Sequence, residues 1–226
     1  MADKPSRAVV VYGDGFAPLV HTNLHALASL GSCGFLALRA PECQPSREVR
    51  ELAQLLDAYD RFMGLRGAFF TVGFSVFEVD ELASELLNLL GFSGGKVSEK
   101  NDFDLVFLHI WLDKFIGELL GISPPGSEIA ARLHVSLVLS YGDASEESSD
   151  LSLLRPCQSY TMKGGDIRHH HPMLVAQWQE GVTRRDTTKE FSYKEFQEHG
   201  GYLAILADRF LHEVAFKLWK APKYGA

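Results

Sequence analysis

Two aspartates, a serine and a run of histidines are the residues of this 226-residue chain best suited to phosphoryl or metal chemistry. Asp14 stands in Gly13-Asp14-Gly15, directly after the apolar run Ala8-Val9-Val10-Val11-Tyr12. A β-branched apolar run reads as a buried parallel strand, and the flanking glycines let the backbone turn so that the carboxylate faces outward at the strand's carboxyl end. A carboxylate there can hold a divalent cation, although Gly and Asp also build plain turns. Asp143 repeats the arrangement, because the run Val135-Ser136-Leu137-Val138-Leu139-Ser140-Tyr141 delivers a second Gly-Asp step. Ser46 opens a helix, where the positive end of the helix dipole favours a developing oxyanion; an ordinary helix cap has the same signature. His169-His170-His171 precede a strand and can supply one or two imidazole ligands, since three adjacent side chains cannot all point one way.

The remaining polar clusters carry less. His21 and His25 are spaced for one helix face, but His21 precedes the Thr22-Asn23 cap and leaves that register. Asp113 and Glu118 read as the solvated side of an amphipathic helix, and Arg184-Arg185, with Lys163 and Arg168, as a charged loop able to meet an anion.

These residues need a scaffold, and the hydropathy pattern predicts one. Strands are expected at 8–12, 33–38, 68–77, 103–109, 133–139 and 173–178, where apolar and β-branched residues cluster. Helices are expected at 24–30, 46–56, 82–90 and 112–120, each with apolar residues at helical spacing, and a short one follows the capping-box pattern Ser192-Tyr193-Lys194-Glu195. In the helix at 46–56, Arg and Glu occupy the side away from Val49, Leu52, Leu55 and Leu56. A last amphipathic helix is expected over 202–219, loops after Gly91, and a long irregular excursion over 144–171. Strands alternating with helices imply an α/β fold with a mainly parallel sheet and helices on both faces, and function at the carboxyl ends of the strands.

Composition narrows the function classes. Lys and Arg total 22 against 29 Asp and Glu, a balance that argues against nucleic acid or an anionic membrane surface as partner. Three widely spaced cysteines without a Cys-x-x-Cys pair suit a reducing compartment, and the amino-terminal stretch lacks the apolar core of a signal peptide. A cytosolic or nuclear location is expected, and no segment is apolar for long enough to span a membrane.

Taken in order, the fragments resemble the alkaline phosphatase superfamily, in particular the archaeal type of cofactor-independent phosphoglycerate mutase. Residues 8–39 are similar to the family's opening, Ala40-Pro41 with Ser46 and Leu52-Ala53-Gln54-Leu55-Leu56 to its nucleophile segment, and Asp104-Leu105-Val106-Phe107-Leu108-His109 to a strand leading to metal ligands. Gly142-Asp143 resembles the Asp of an Asp-His pair, His169 or His170 the last histidine ligand, and residues 191–206 the closing helix region. The resemblance implies a single domain, 1–226, with an alkaline-phosphatase-like core. It also exposes departures. Ala144 stands where the pair would have histidine, no second histidine accompanies Asp113 after the middle strand, and only residues 56–66 fill the place of the family's inserted cap domain.

Two-metal phosphoryl transfer needs both cations side by side, so the resemblance implies a degenerate, non-catalytic binding or regulatory protein without a cofactor. The alternative is a phosphatase, phosphodiesterase or mutase using Ser46 with manganese or zinc on Asp14, Asp143, His169 and His170. A protein partner or a second copy of the chain is a further expectation, with Phe69, Phe70, Phe74 and Phe77 forming a seam where the cap is missing.

Overall fold

A computed structural model describes residues 7–13, 22–39, 47–56, 67–71, 79–98, 101, 103–109, 113–140, 172–201 and 203–221. The first apolar run becomes β1 (Arg7–Gly13), every residue of it buried. Its side chains alternate: Val9 and Val11 join the core on one face, Ala8, Val10 and Tyr12 the core on the other. Burying one such valine contributes about 1.5 to 3 kcal/mol, which is why a strand apolar on both sides takes the centre of a sheet.

The other strands are β2 (Ser32–Ala37), β3 (Gly67–Thr71), β4 (Phe92–Ser93), β5 (Lys96–Val97), β6 (Leu105–His109), β7 (Leu133–Leu139), β8 (Met173–Trp178) and β9 (Leu203–Leu206). Seven of them form one sheet in the order β3-β6-β1-β7-β8-β2-β9. Pairing is parallel except that β8 runs against both its neighbours, β7 and β2. Helices cover both faces. On one lie α1 (Thr22–Leu30), α3 (Val79–Leu89), α4 (Asp113–Ile122), α5 (Glu128–Arg132) and α6 (Tyr193–His199), through Leu27, Leu86, Phe115, Ile129 and Phe196 among others. On the other lie α2 (Arg47–Leu56) and α7 (Phe210–Lys217), through Leu55, Phe210 and Val214. The expected α/β fold with a mainly parallel sheet covered on both faces is the observed one. Among the described residues, no helix is long and apolar enough to cross a membrane.

Two local expectations are corrected, and one element is added. Residues 202–219 are not one helix: Leu203–Leu206 is a strand paired in parallel with β2, a 3-10 turn Ala207–Arg209 follows, and only then comes α7. Leu203-Ala204-Ile205-Leu206 is apolar throughout, so it lacks the alternation that separates strand from helix. The stretch after Gly91 holds the β4–β5 hairpin, turned by Gly94 and Gly95 with φ of 57° and 74°, the positive values that a tight hairpin turn demands. Beyond Pro124-Pro125, the single turn α5 is capped by Ser127, whose Oγ accepts the Ala130 N–H at 3.0 Å.

Candidate functional site

Parallel strands send their carboxyl ends to one edge of the sheet, and register shows how closely those ends meet. Gly13 pairs with Leu139, and the Ser140 N–H donates to the Gly13 carbonyl at 2.9 Å, so the ends of β1 and β7 are tied together. The start of β8 lies beside them, with Leu139 opposite Leu174, and the end of β2 follows, with Leu36 opposite Met173. Asp14 is the residue after Gly13, Asp143 the third after Ser140, His170 and His169 the second and third before Pro172, and Ser46 the one before α2. Asp14, Ser46, Asp143, His169 and His170 themselves lie outside the described residues, as do His21, Lys163, Arg168, Phe74, Phe77 and the side chains of Phe69 and Phe70. The structure thus places the strand ends that lead to the four predicted segments next to one another.

The described residues at this edge form a polar frame. Tyr12 Oη donates to Glu51 Oε2 at 2.9 Å, and Glu51 is only 1% exposed. That corrects, for Glu51, the expectation that the charged residues of α2 lie on the side away from the core. Gln54 clasps the end of β2 from both sides, its Oε1 accepting the Arg39 N–H at 2.7 Å and its Nε2 donating to the Arg39 carbonyl at 3.2 Å. Arg39 in turn pairs with Asp208 on the 3-10 turn, Nε to Oδ2 at 2.6 Å. Both flanks of the segment that contains Ser46 are therefore fixed, and a charge-assisted bond of this kind holds geometry more firmly than a neutral one.

Asp113, expected on a solvated helix face, does something else. Its Oδ1 accepts the N–H groups of Asn23 and Leu24 at 3.0 and 3.1 Å, and its Oδ2 accepts Asn23 Nδ2 at 2.9 Å. The carboxylate of α4 is the cap of α1, at the positive end of that helix. Gly117 makes the approach possible, because a Cβ there would come within 2.6 Å of the Asn23 amide. His25 is also committed: its Nδ1 accepts the Phe191 N–H at 3.0 Å.

At the opposite edge of the sheet a different polar centre appears, one that local sequence did not signal. Asp186, its side chain wholly buried, accepts the Cys33 N–H at 2.9 Å, the Gly201 N–H at 2.7 Å and Ser32 Oγ at 3.1 Å on Oδ2, and Arg184 Nε at 2.7 Å on Oδ1. Burial alone would raise its pKa, but the two backbone donors, then Arg184 and Ser32, bring it below the ordinary value. The charged loop around 184–185 is thus partly structural, since Arg185 Nε also donates to the Ser29 carbonyl at 2.9 Å. Cys33 beside it is buried, and that burial pushes its thiol up to about 12, so it is no nucleophile at neutral pH. Among the described residues, the one group of three metal-type donors is Glu195, Glu198 and His199, on the outer side of α6 and away from the carboxyl edge.

No family model matches the chain, and no curated protein is similar enough to match. Among solved structures it is similar to the PH0037 protein from Pyrococcus horikoshii, with 14% sequence identity, a TM-score of 0.56 and 99% of each chain covered. At that identity the likeness concerns the fold, and it agrees with the α/β architecture described above.

Proposed function

We propose that this chain is a degenerate relative of the alkaline phosphatase superfamily, similar to archaeal-type cofactor-independent phosphoglycerate mutase, that works in the cytosol as a binding or regulatory protein rather than as an enzyme. The observation that carries the reading is the engagement of Asp113. It is the carboxylate of the segment after β6, where the resemblance calls for metal ligands, and three of its roughly four lone-pair directions accept N–H groups of α1. With Ala144 in place of an imidazole, the donors left in the sequence are Asp14, Asp143, His169 and His170, beside Ser46. That set suits one manganese or zinc ion and does not fit a pair, so no two-metal displacement follows from it.

A retained anion or single-cation site at the carboxyl edge, read by a protein partner or a second copy of the chain, is the role this leaves. The test is hydrolysis of a chromogenic phosphate ester by purified protein in manganese or zinc. No turnover above the metal blank is expected, and none is expected to change in Ser46→Ala. Turnover that disappears in Ser46→Ala would replace this reading with a Ser46-dependent phosphoryl-transfer enzyme.

A further inference from the structure

The sheet face beneath α7 is divided. Toward the carboxyl edge it is apolar, with Val138 and Val175 in the core; toward the amino edge it presents His134, Ser136 and Gln177, all 0% exposed. Alternation sets this, since Leu133, Val135 and Leu137 of β7 join the opposite core, and Gln177 of β8 pairs with Ser136. Gln179, just past β8, is equally buried. Buried polar groups in this number persist only if they satisfy one another.

Their hydrogen bonds run in one direction. Lys217 of α7 donates through Nζ to Gln177 Oε1, an ammonium having donors only. That turns Gln177 Nε2 toward Ser136, where it donates to Oγ at 3.1 Å. The Ser136 hydroxyl then has its hydrogen for His134 Nε2, 3.2 Å away, so Nε2 accepts and Nδ1 carries the ring hydrogen. The partner left for Nδ1 is Gln179 Oε1. Gln179 Nε2 is taken by the Ala131 carbonyl at 2.8 Å, neither Nδ1 nor Oε1 has another hydrogen bond, and Gln179 acts on the ring as a hydrogen-bonding neighbour does.

A proton on His134 is incompatible with this order. The Nε2 of an imidazolium donates, so Ser136 Oγ must accept from it, and the hydroxyl hydrogen can reach Gln177 Oε1 only if that amide turns over and presents its Nε2 to the ammonium. Two cations cannot end one chain of hydrogen bonds. Burial first, then the charge of Lys217, holds the ring well below its ordinary 6.5, while Gln179 pulls the other way. The fold therefore keeps His134 neutral, and the stability that the relay contributes is present above 6.5 and lost as pH falls below it. Around it, α7 also carries His212 and Glu213, Lys220 pairs with Asp104 at 3.6 Å, Arg7 begins β1, Arg132 ends α5, and β8 has no charged residue. Lys217 is the charge that acts on His134, and Glu213 the one that acts on Lys217.

We propose that this relay is a pH latch on α7: protonation of His134 reverses it, displaces Lys217 and frees the last turn of the helix while the sheet stays folded. Lys217 is partly exposed, so its way out is open. Opening returns the ring to water and to its ordinary 6.5, so at about pH 5 the proton favours the open form by about thirtyfold.

Nitrogen-15 NMR of the His134 ring in the full chain at about pH 7.5 is expected to show the neutral tautomer with its hydrogen on Nδ1. Amide hydrogen exchange, corrected for intrinsic rates, then compares Leu218, Trp219 and Lys220, whose N–H groups bond back to Val214, Phe216 and Ala215, with the amides of β1. Between about pH 7.5 and about pH 5 the helix end is expected to lose about tenfold or more protection relative to β1. His134→Gln, which keeps an acceptor for Ser136 and does not titrate, is expected to abolish that loss, and Lys217→Met, which removes the second cation, to shrink it to a few-fold at most. A ring hydrogen on Nε2, a charged ring at about pH 7.5, equal loss in helix and strand, or a loss undiminished in either variant would overturn the proposal.

Discussion

The two edges of the sheet use charge in opposite ways. At the carboxyl edge, the predicted donors sit in short sequence steps that follow strand ends, Gly13-Asp14 after β1 and Gly142-Asp143 after β7, and the described residues around them serve as a frame. At the amino edge, a single carboxylate gathers groups as far as 154 residues from it in sequence, joining β2, the loop before α6 and the approach to β9. A charge fully paired inside the protein secures the fold, whereas a set of donors left for an outside ligand adds little to it. The comparison therefore predicts that stability depends on the amino edge and ligand chemistry on the carboxyl edge.

The largest effect should come from Asp186→Ala. It strips the acceptor from the buried N–H of Cys33, at about 1 to 3 kcal/mol, and from the partly buried N–H of Gly201 and hydroxyl of Ser32, which add less each. A loss of about 3 kcal/mol or more in urea unfolding is expected, against about 1 kcal/mol or less for Ser46→Ala, where the sequence predicts no more than a helix cap. Equal losses at the two positions would erase the contrast.

Asp113→Ala should fall between them. Freeing the first turn of α1 is expected to cost about 1 to 2 kcal/mol, with the near-isosteric Asn retaining part of the cap. If Asp113→Ala instead left stability unchanged and abolished a bound cation, Asp113 would belong to a metal site and the frame would have to be redrawn.

The smallest effect is a pH slope. Burial pushes Lys217 down to about 8 from its ordinary 10.5, with Glu213 pulling the other way. Between those values the unfolded chain holds a proton that the folded one has released, so the Lys217 contribution makes stability rise as pH increases from 8 toward 10.5. Cys33 opposes this above its ordinary 9.0, since its thiol stays protonated in the fold, so the clean window is pH 8 to 9. Thermal unfolding across that window should rise more steeply for the parent than for Lys217→Met. Parallel curves would mean that the ammonium is not buried as described.

Much of the scaffold can be read from residue order because a buried parallel strand needs little more than an unbroken apolar run, as at Val9-Val10-Val11 and Leu137-Val138-Leu139. The same property hides β9, whose Leu203-Ala204-Ile205-Leu206 would suit a buried helix equally well. The Gly-Asp steps stand out as candidate donors because their signal is local. Glu51 and Asp113 do not, because what removes each from water is a partner 39 or 90 residues away. Arg184-Arg185-Asp186 looks like a surface charge run for the same reason: only the meeting of β2 with the approach to β9 turns its last member inward.

The central claim is that the carboxyl edge lacks the donors for two divalent cations, and its most direct test is metal stoichiometry by equilibrium dialysis of the full chain against manganese and, separately, zinc. Saturation at one ion per chain or fewer is the predicted result, lowered further in Asp14→Ala and Asp143→Ala. Two ions per chain, both lost in those variants, would contradict it.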